Sequence, residues 1–235
     1  MILAPQRVMF GEPEVIGWRG RYVDVRDIDK NAADETIRSG HYSGTVVWSS
    51  NFHLGVFPVL SDDLIGVLQF GPAMNPASGS SVVDPPGKWC ELNRMWLAPE
   101  APKNAGTMAI SLSIKVLRQR GIEWIQTFAD ERCGKAGGLY QAASFLYLGS
   151  HVGEFYELDG EFYHRSVWGR KAVDSRGWGC GPRITYFNEN KDRAVKREFR
   201  QYRYVRLLTK RARRDFVAKT LPYPIPLDNN KEGER

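Results

Sequence analysis

The sequence predicts an α+β fold with a mixed, mostly antiparallel central sheet flanked by helices. Two observations carry that expectation. Helical and strand-like apolar periods follow one another as helix, three strands, helix, strand, helix, two strands, which is neither a strict strand–helix repeat nor a run of strands alone. The 235 residues are 42% hydrophobic and 12% aromatic against 26% charged, so they can bury one sizeable core and do not read as a disordered chain. A third observation, positive charge gathered near the C-terminal end, adds a basic helical extension. The expected organisation is a domain over 1–185 and an extension over 186–235 with a disordered end.

Asp27 to Arg38 carries an N-cap candidate and few breakers and closes at Ser39-Gly40, which predicts a short helix or helix pair. His41-Tyr42-Ser43 follows directly. Phe52 to Leu60, Leu64 to Phe70 and Lys88 to Leu97 read as strands, with Ser61-Asp62-Asp63 as a hairpin turn. The Pro/Gly/Ser stretch from Gly71 to Gly87 is a long loop of the kind that is functional or mobile. Asn104 opens a helix whose apolar positions run from Met108 to Leu117 and end at Gly121; its side chain is expected to accept from the first-turn amides. Trp124 to Ala129 predicts a buried strand, Gly137 to Leu148 a helix closed by Gly149, and Phe155 to Leu158 with Phe162 to Trp168 a hairpin turning at Asp159-Gly160.

The net charge of +6 is unevenly spread. Residues 191–219 hold 12 Lys+Arg against 3 Asp+Glu, whereas the other 206 residues hold 21 against 24. A segment of +9 on a body of −3 points to polyanion binding by the segment and other work by the body. Arg197, Arg200, Arg203, Arg206, Lys210, Arg211, Arg213 and Arg214 recur every three or four residues. On a helix they would form a broad phosphate-binding face, with Phe199, Tyr202, Val205 and Leu208 as its docking stripe. No apolar run approaches the length of a membrane span and the first residues lack the order of a secretory signal, so the expectation is a cytoplasmic protein with no membrane partner. Cys90, Cys133 and Cys180 are far apart with no CxxC pair and read as reduced thiols.

Several motifs stand in a telling order. Glu91-Leu92-Asn93-Arg94-Met95-Trp96 precedes Lys103-Asn104-Ala105-Gly106-Thr107; then come Phe128-Ala129-Asp130, Gly137-Gly138-Leu139-Tyr140-Gln141-Ala142 and Phe145-Leu146-Tyr147-Leu148-Gly149. A strand, a helix opening on a Gly-bearing turn, a strand and a helix carrying a Tyr resemble the GNAT acyltransferase fold. In combination, and with His41-Tyr42-Ser43 upstream, the motifs resemble the Mom family of phage DNA-modification proteins over roughly residues 27–170. The resemblance implies conversion of adenine in double-stranded DNA to N6-carbamoylmethyladenine, which shields phage DNA from restriction in the host cytoplasm.

It also implies roles. The amides of Ala105, Gly106 and Thr107, with Lys103 and Asn104, would grip the donor's phosphates at the helix N-terminus, although Met108 stands where acetyltransferases carry a second small residue; an ordinary capped helix is the plainer alternative. Arg94 would contact the donor or shape the pocket, with a salt bridge to Glu91 as the alternative. His41, Tyr42 and Asp130 would be catalytic and, in the family, an iron-binding set; the same groups can act as base, phenol and carboxylate with no ion. Tyr140 would be a general acid, or else a core aromatic. Lys135 stands in the glycine-rich approach to that helix where many phage relatives are expected to have His. His53, His151 and His164 read as structural.

Adenine N6 is buried by pairing, so the base must be flipped; Trp48, Phe52, Trp89 and Trp96 are candidates to stack on it. Direct acetyl transfer would place the carbonyl on N6, the reverse of carbamoylmethyl, so acetyl-CoA would require an oxidation, with Fe(II) as the metal, and a nitrogen source. Glycyl transfer from glycyl-tRNA followed by rearrangement needs no redox step, and makes tRNA a second candidate partner. Two other classes stay open: an N-acetyltransferase of protein or small-molecule amines, and a non-catalytic DNA-binding module. Oligomeric state is equally open, a dimer included.

Overall fold

Alternating side chains along the chain build strands β1 (Gly17–Arg19), β2 (Val23–Asp27), β3 (Phe52–Pro58), β4 (Gly66–Gly71), β5 (Trp89–Leu97), β6 (Trp124–Asp130), β7 (Leu146–Leu158), β8 (Glu161–His164) and β9 (Val195–Leu207). In the computed structural model, which describes residues 17–133, 136–168 and 181–224, they pair into one sheet in the order β1-β2-β3-β4-β5-β6-β9-β7-β8. Every pairing is antiparallel except β5 with β6. The parallel pair requires a crossover, supplied by helix α2 (Ala105–Gln119). This is the α+β class and mixed sheet expected from the apolar pattern. Lys135, Cys180 and the C-terminal end expected to be disordered lie outside the described residues.

Helix α1 (Lys30–Gly40) is capped by Asp29, whose side chain accepts from the Asn31 amide. It buries Ala33 and Ile37 against Val67 on one face of the sheet, whereas α2 and Leu68 belong to the main core on the other face. Val67 and Leu68 are neighbours in β4, so strand alternation alone assigns the two helices to opposite faces. The 71–87 stretch is packed: it buries Val82 and Val83, and Val83 forms a bridge with Phe216.

Three expectations are corrected. The basic segment is not a helix: residues 195–207 form β9, inserted between β6 and β7 in the middle of the sheet, with only α5 (Lys210–Arg214) helical beyond it. The physical reason is period. Tyr202 and Tyr204 alternate with Arg203 and are buried, while a spacing of three sends Arg200 and Arg203 to opposite faces of a strand. A boundary at 185/186 therefore separates no independent unit. The helix expected over Gly137 to Leu148 is only α3 (Gly138–Ala142); Ser144 takes φ +59° and Leu146 already belongs to β7. Finally, Asn104 does not cap α2 through its side chain: it sits at φ +67°, and its carbonyl accepts from Met108 N and Thr107 Oγ1.

Strands β1 and β2, and helix α4 (Gly181–Asn190), were not evident from the pattern. Deleting residues 195–235 removes Tyr202, Tyr204 and Val205 from the core and leaves β6 and β7 unpaired along one edge. We expect that truncation to give insoluble or molten protein by near-ultraviolet circular dichroism.

Candidate active site

The site grows from one loop and the strand that holds it. His41 ends α1, with its N–H on the Ile37 carbonyl, and Gly44 then turns the chain at φ +56°, where its N–H donates to the His41 carbonyl. From there to Asn51 the backbone is irregular and is pinned by β5. The Arg94 guanidinium donates to the Thr45 carbonyl at 2.8 Å and Thr45 Oγ1 at 3.3 Å, and also to the Asn93 carbonyl at 2.7 Å. Ser50 Oγ donates to Asn93 Oδ1 at 2.9 Å, and Asn51 N–H to the Phe70 carbonyl at 2.8 Å. A β-bulge makes this possible: Gln69 pairs with Arg94 but Phe70 with Leu92, leaving Asn93 as the extra residue. Arg94 therefore positions the loop. Glu91 takes no salt bridge from it and accepts instead from Gln126 Nε2 at 3.0 Å and Asn93 Nδ2 at 3.4 Å.

His41, Tyr42 and Asp130, 88 residues apart in sequence at the widest hydrogen-bonded pair, come together. Tyr42 Oη donates to Asp130 Oδ2 at 3.1 Å, and the His41 and Tyr42 rings lie 4.3 Å apart. The partner that sequence reasoning missed is Arg132. Its Nε donates to Asp130 Oδ1 at 3.0 Å, its Nη2 to Oδ2 at 2.5 Å and its own N–H to Oδ1 at 3.0 Å. The guanidinium lies 4.2 Å from the Phe155 ring and between 5.5 and 5.7 Å from those of Tyr42, Phe162 and Phe199, an aromatic surround that suits a delocalised cation. An Asp followed two residues later by Arg was the available signal.

Charge states follow from these contacts. Burial opposes ionisation of Asp130, but the hydrogen bonds and charge of Arg132 outweigh it and hold the carboxyl below its usual range. Burial and then the Arg94 and Arg132 cations lower His41 to about 4, so its imidazole is neutral at pH 7. Loss of water around the hydroxyl, and then the Asp130 charge, push the Tyr42 phenol up. The group opens on a cleft of about 400 Å³ lined by His41, Tyr42, Ser43, Gly44, Glu161 and Arg183.

These residues do not fit a bound iron ion as they are arranged. Both Asp130 oxygens accept from Arg132 and one also from Tyr42, while His41 Nδ1 contacts Ser43 Oγ at 2.9 Å. A divalent cation there would face the Arg132 guanidinium across a carboxylate already saturated with donors.

Tyr140 lies at a second feature. The parallel pairing of β5 with β6 runs from Trp89/Trp124 to Leu92/Thr127 and stops there, although β5 continues to Leu97 and β6 to Asp130. The strands part at Thr127, whose Oγ1 donates to the Leu92 carbonyl at 3.3 Å; burial raises the Tyr140 phenol and the Thr127 side chain partly offsets that rise. The Tyr140 ring packs at 5.6 Å from Phe145 and 5.7 Å from Tyr204. Of the expected donor grip, Lys103 and Asn104 are exposed, Ala105 is buried with its amide on the Pro102 carbonyl, and Gly106 and Thr107 supply first-turn amides beside Leu139.

The basic residues are scattered. Arg197 pairs with Glu157 at 2.7 Å, Arg200 Nη1 reaches Ser150 Oγ at 3.3 Å, Arg203 Nε donates to Gln126 Oε1 at 2.8 Å, and Arg206 donates to the Ser144 carbonyl at 2.5 Å. Arg211 pairs with Glu123 and Arg214 with Asp215, while Lys210, Arg213 and Arg214 are exposed on α5. Because Gln201 pairs with Asp130 and Leu207 with Trp124, α5 follows the end of β9 remote from Asp130, about 20 Å away at the rise of a strand.

The model of the Mom protein family matches residues 22–225. The chain is 45% identical over 231 residues to the methylcarbamoylase mom of Escherichia phage Mu, covering 95% of this chain and 92% of that protein. Among solved structures it is similar to a probable GNAT-family acetyltransferase from Chromobacterium violaceum ATCC 12472 at 14% identity and a TM-score of 0.46, over 88% of this chain and 96% of the other. A spermidine/spermine N-acetyltransferase from Vibrio cholerae is similar at 13% identity and a TM-score of 0.48, over 82% and 96%.

Two outcomes test the geometry. A Cβ on Gly71 would lie 2.8 Å from Asn93 Oδ1, the Ser49 carbonyl and the Ser50 Cα, so Gly71→Ala should displace the loop and cost activity on the order of tenfold while the protein stays folded. His41 resists protonation when folded, whereas its ordinary value is 6.5. Its contribution to stability is complete above that value and declines as pH falls towards 4. Urea midpoints of the native protein should therefore drop more steeply between pH 6.5 and 4 than those of His41→Gln; equal slopes would contradict the assignment.

Proposed function

The chain belongs to the Mom protein family, and on that premise we propose that it modifies N6 of adenine in double-stranded DNA to the carbamoylmethyl form, protecting phage DNA from restriction. The observation that carries this is the Tyr42–Asp130–Arg132 group beside neutral His41 at an open cleft, on a chain 45% identical to a methylcarbamoylase. A flipped adenine in that cleft would set its amine against Tyr42 and His41. The phenol's proton is committed to Asp130, which leaves its lone pairs to accept from N6, and neutral imidazole is a second acceptor. Arg94 and Arg132 act electrostatically on His41, and Arg183 lines the cleft paired with Glu161 at 3.0 Å; these guanidinium groups would stabilise negative charge developing on a carbonyl under attack.

For the donor we favour an activated glycine carried on tRNA. Attack of N6 on the glycyl ester carbonyl forms the amide bond and releases the tRNA hydroxyl. The glycyl amine then attacks C6 through a five-membered ring; the bond from C6 to the original nitrogen breaks, and that nitrogen leaves as the carboxamide. The second step is an isomerisation, so no oxidant enters. Support comes from the Asp130 environment, which is unsuited to the iron that the acetyl-CoA route would call on, and from Met108 at the start of α2. Tyr140 would be the general acid that protonates the departing tRNA hydroxyl, a role its phenol, kept neutral by burial, supports. Lys210, Arg213 and Arg214 would hold phosphates of a nucleic acid away from the reacting base, and their replacement by Gln should weaken binding and flatten its salt dependence.

Nucleosides from duplex DNA incubated with the protein and 15N-glycyl-tRNA should contain labelled carbamoylmethyladenine by mass spectrometry. Unlabelled or absent product there, with product from acetyl-CoA and Fe(II), would overturn the donor assignment. Tyr42→Phe and Asp130→Asn should each lower product formation about 100-fold or more with DNA affinity retained. Retained anti-restriction activity in both would favour a non-catalytic DNA-binding module, and acetylated protein with unmodified DNA an ordinary N-acetyltransferase.

A further inference from the structure

We propose that Trp48 is a wedge that enters the duplex in the space vacated by the flipped adenine; the inference rests on the DNA-modifying function proposed above. Its indole is 80% exposed. An indole left in water forgoes a large burial gain, and a flexible loop would fold it back onto the protein. This loop cannot do so. Trp48 lies inside a turn in which Ser50 N–H donates to the Val47 carbonyl at 3.0 Å, and the turn is tied by Arg94 at Thr45, by Asn93 at Ser50 and by the Phe70 carbonyl at Asn51. The backbone of Ser49 and Ser50 also abuts Gly71.

The other aromatics considered for base stacking are occupied. Phe52 lies under the Arg120 guanidinium at 5.0 Å, Trp89 stacks on Trp124 at 4.2 Å, and Trp96 packs against Gly40. Trp48 is also absent from the lining of the cleft, which draws instead on the preceding His41, Tyr42, Ser43 and Gly44. The same loop thus offers one aromatic, Tyr42, beside the extruded base and another, a few residues on, to the duplex it left. Unstacking a base is costly, and an aromatic side chain inserted into the gap restores stacking with the neighbouring bases.

The test compares wild type, Trp48→Ala and Trp48→Phe on a fully paired duplex and on one whose target adenine faces an abasic site, where no pairing has to be broken. On the paired duplex Trp48→Ala should lose about tenfold or more in kcat/KM and Trp48→Phe should recover most of it. On the unpaired target the loss should shrink to about threefold or less. A 2-aminopurine in place of the target adenine should brighten on binding wild type and much less on binding Trp48→Ala. Equal losses on both duplexes, or no loss on the paired one, would overturn the wedge while leaving the enzyme's function intact. Absence of product from wild type on either duplex would instead overturn the functional proposal, and the wedge with it. Because the indole is solvated, all three proteins should melt alike.

Discussion

Because the Arg94 guanidinium spends its donors on Thr45 and on the carbonyl beside it, the chain from His41 to Asn51 is fixed although it has no regular structure. A guanidinium is suited to this, being planar, permanently charged and able to donate in several directions at once, whereas a lysine ammonium would hold one point and leave the rest of the loop to drift. The bulge at Asn93 is what aims it. One extra residue in β5 turns Asn93 and Arg94 to grip the loop near its two ends, and beside it the pairing of β5 with β6 ends at Leu92 and Thr127. The anchoring of the loop and the parting of the two strands therefore meet at one irregularity of backbone pairing.

Charge is arranged on the same principle of over-determination. Asp130 at the end of β6 has a buried side, and a carboxylate there is stable only because Arg132 supplies a fork of hydrogen bonds and a compensating charge. Arg132 is held in turn by rings from β7, β8 and β9. The Asp130 end of the sheet is thus assembled from both halves of the chain, and the basic segment contributes to it through Phe199 and Gln201.

Much of the central sheet was legible because its strands obey simple alternation between clear turns: Phe52 to Pro58, Gly66 to Gly71 and Trp89 to Leu97 fall within a few residues of expectation. Strands β1 and β2 were not, being short and rich in charge, with too few apolar positions to show a period. Strand β9 was misread because arginines three apart satisfy a helical face as well as they scatter over a strand; the alternation of Tyr202, Tyr204 and their neighbours was the better signal. The site followed a similar rule. Residue types at His41, Tyr42 and Asp130 were visible in the motifs, and they do converge. Their electrostatic character was not visible, since Arg132 becomes a partner only through φ and ψ at the end of a strand, and its aromatic surround comes from Phe155, Phe162 and Phe199, all remote in sequence.

The place of β9 also has a temporal consequence. Among the described strands β9, which joins β6 to β7, is the last to leave the ribosome, so a nascent chain that has already made both still presents two open edges of backbone donors and acceptors. Closure needs contacts between residues far apart in sequence, which is slow relative to local helix or hairpin formation. Until synthesis passes Leu207, the hairpin that carries Phe155 and Phe162 has no fixed relation to Asp130. The end of the sheet that carries Asp130 is in this way kept from assembling on an unfinished chain.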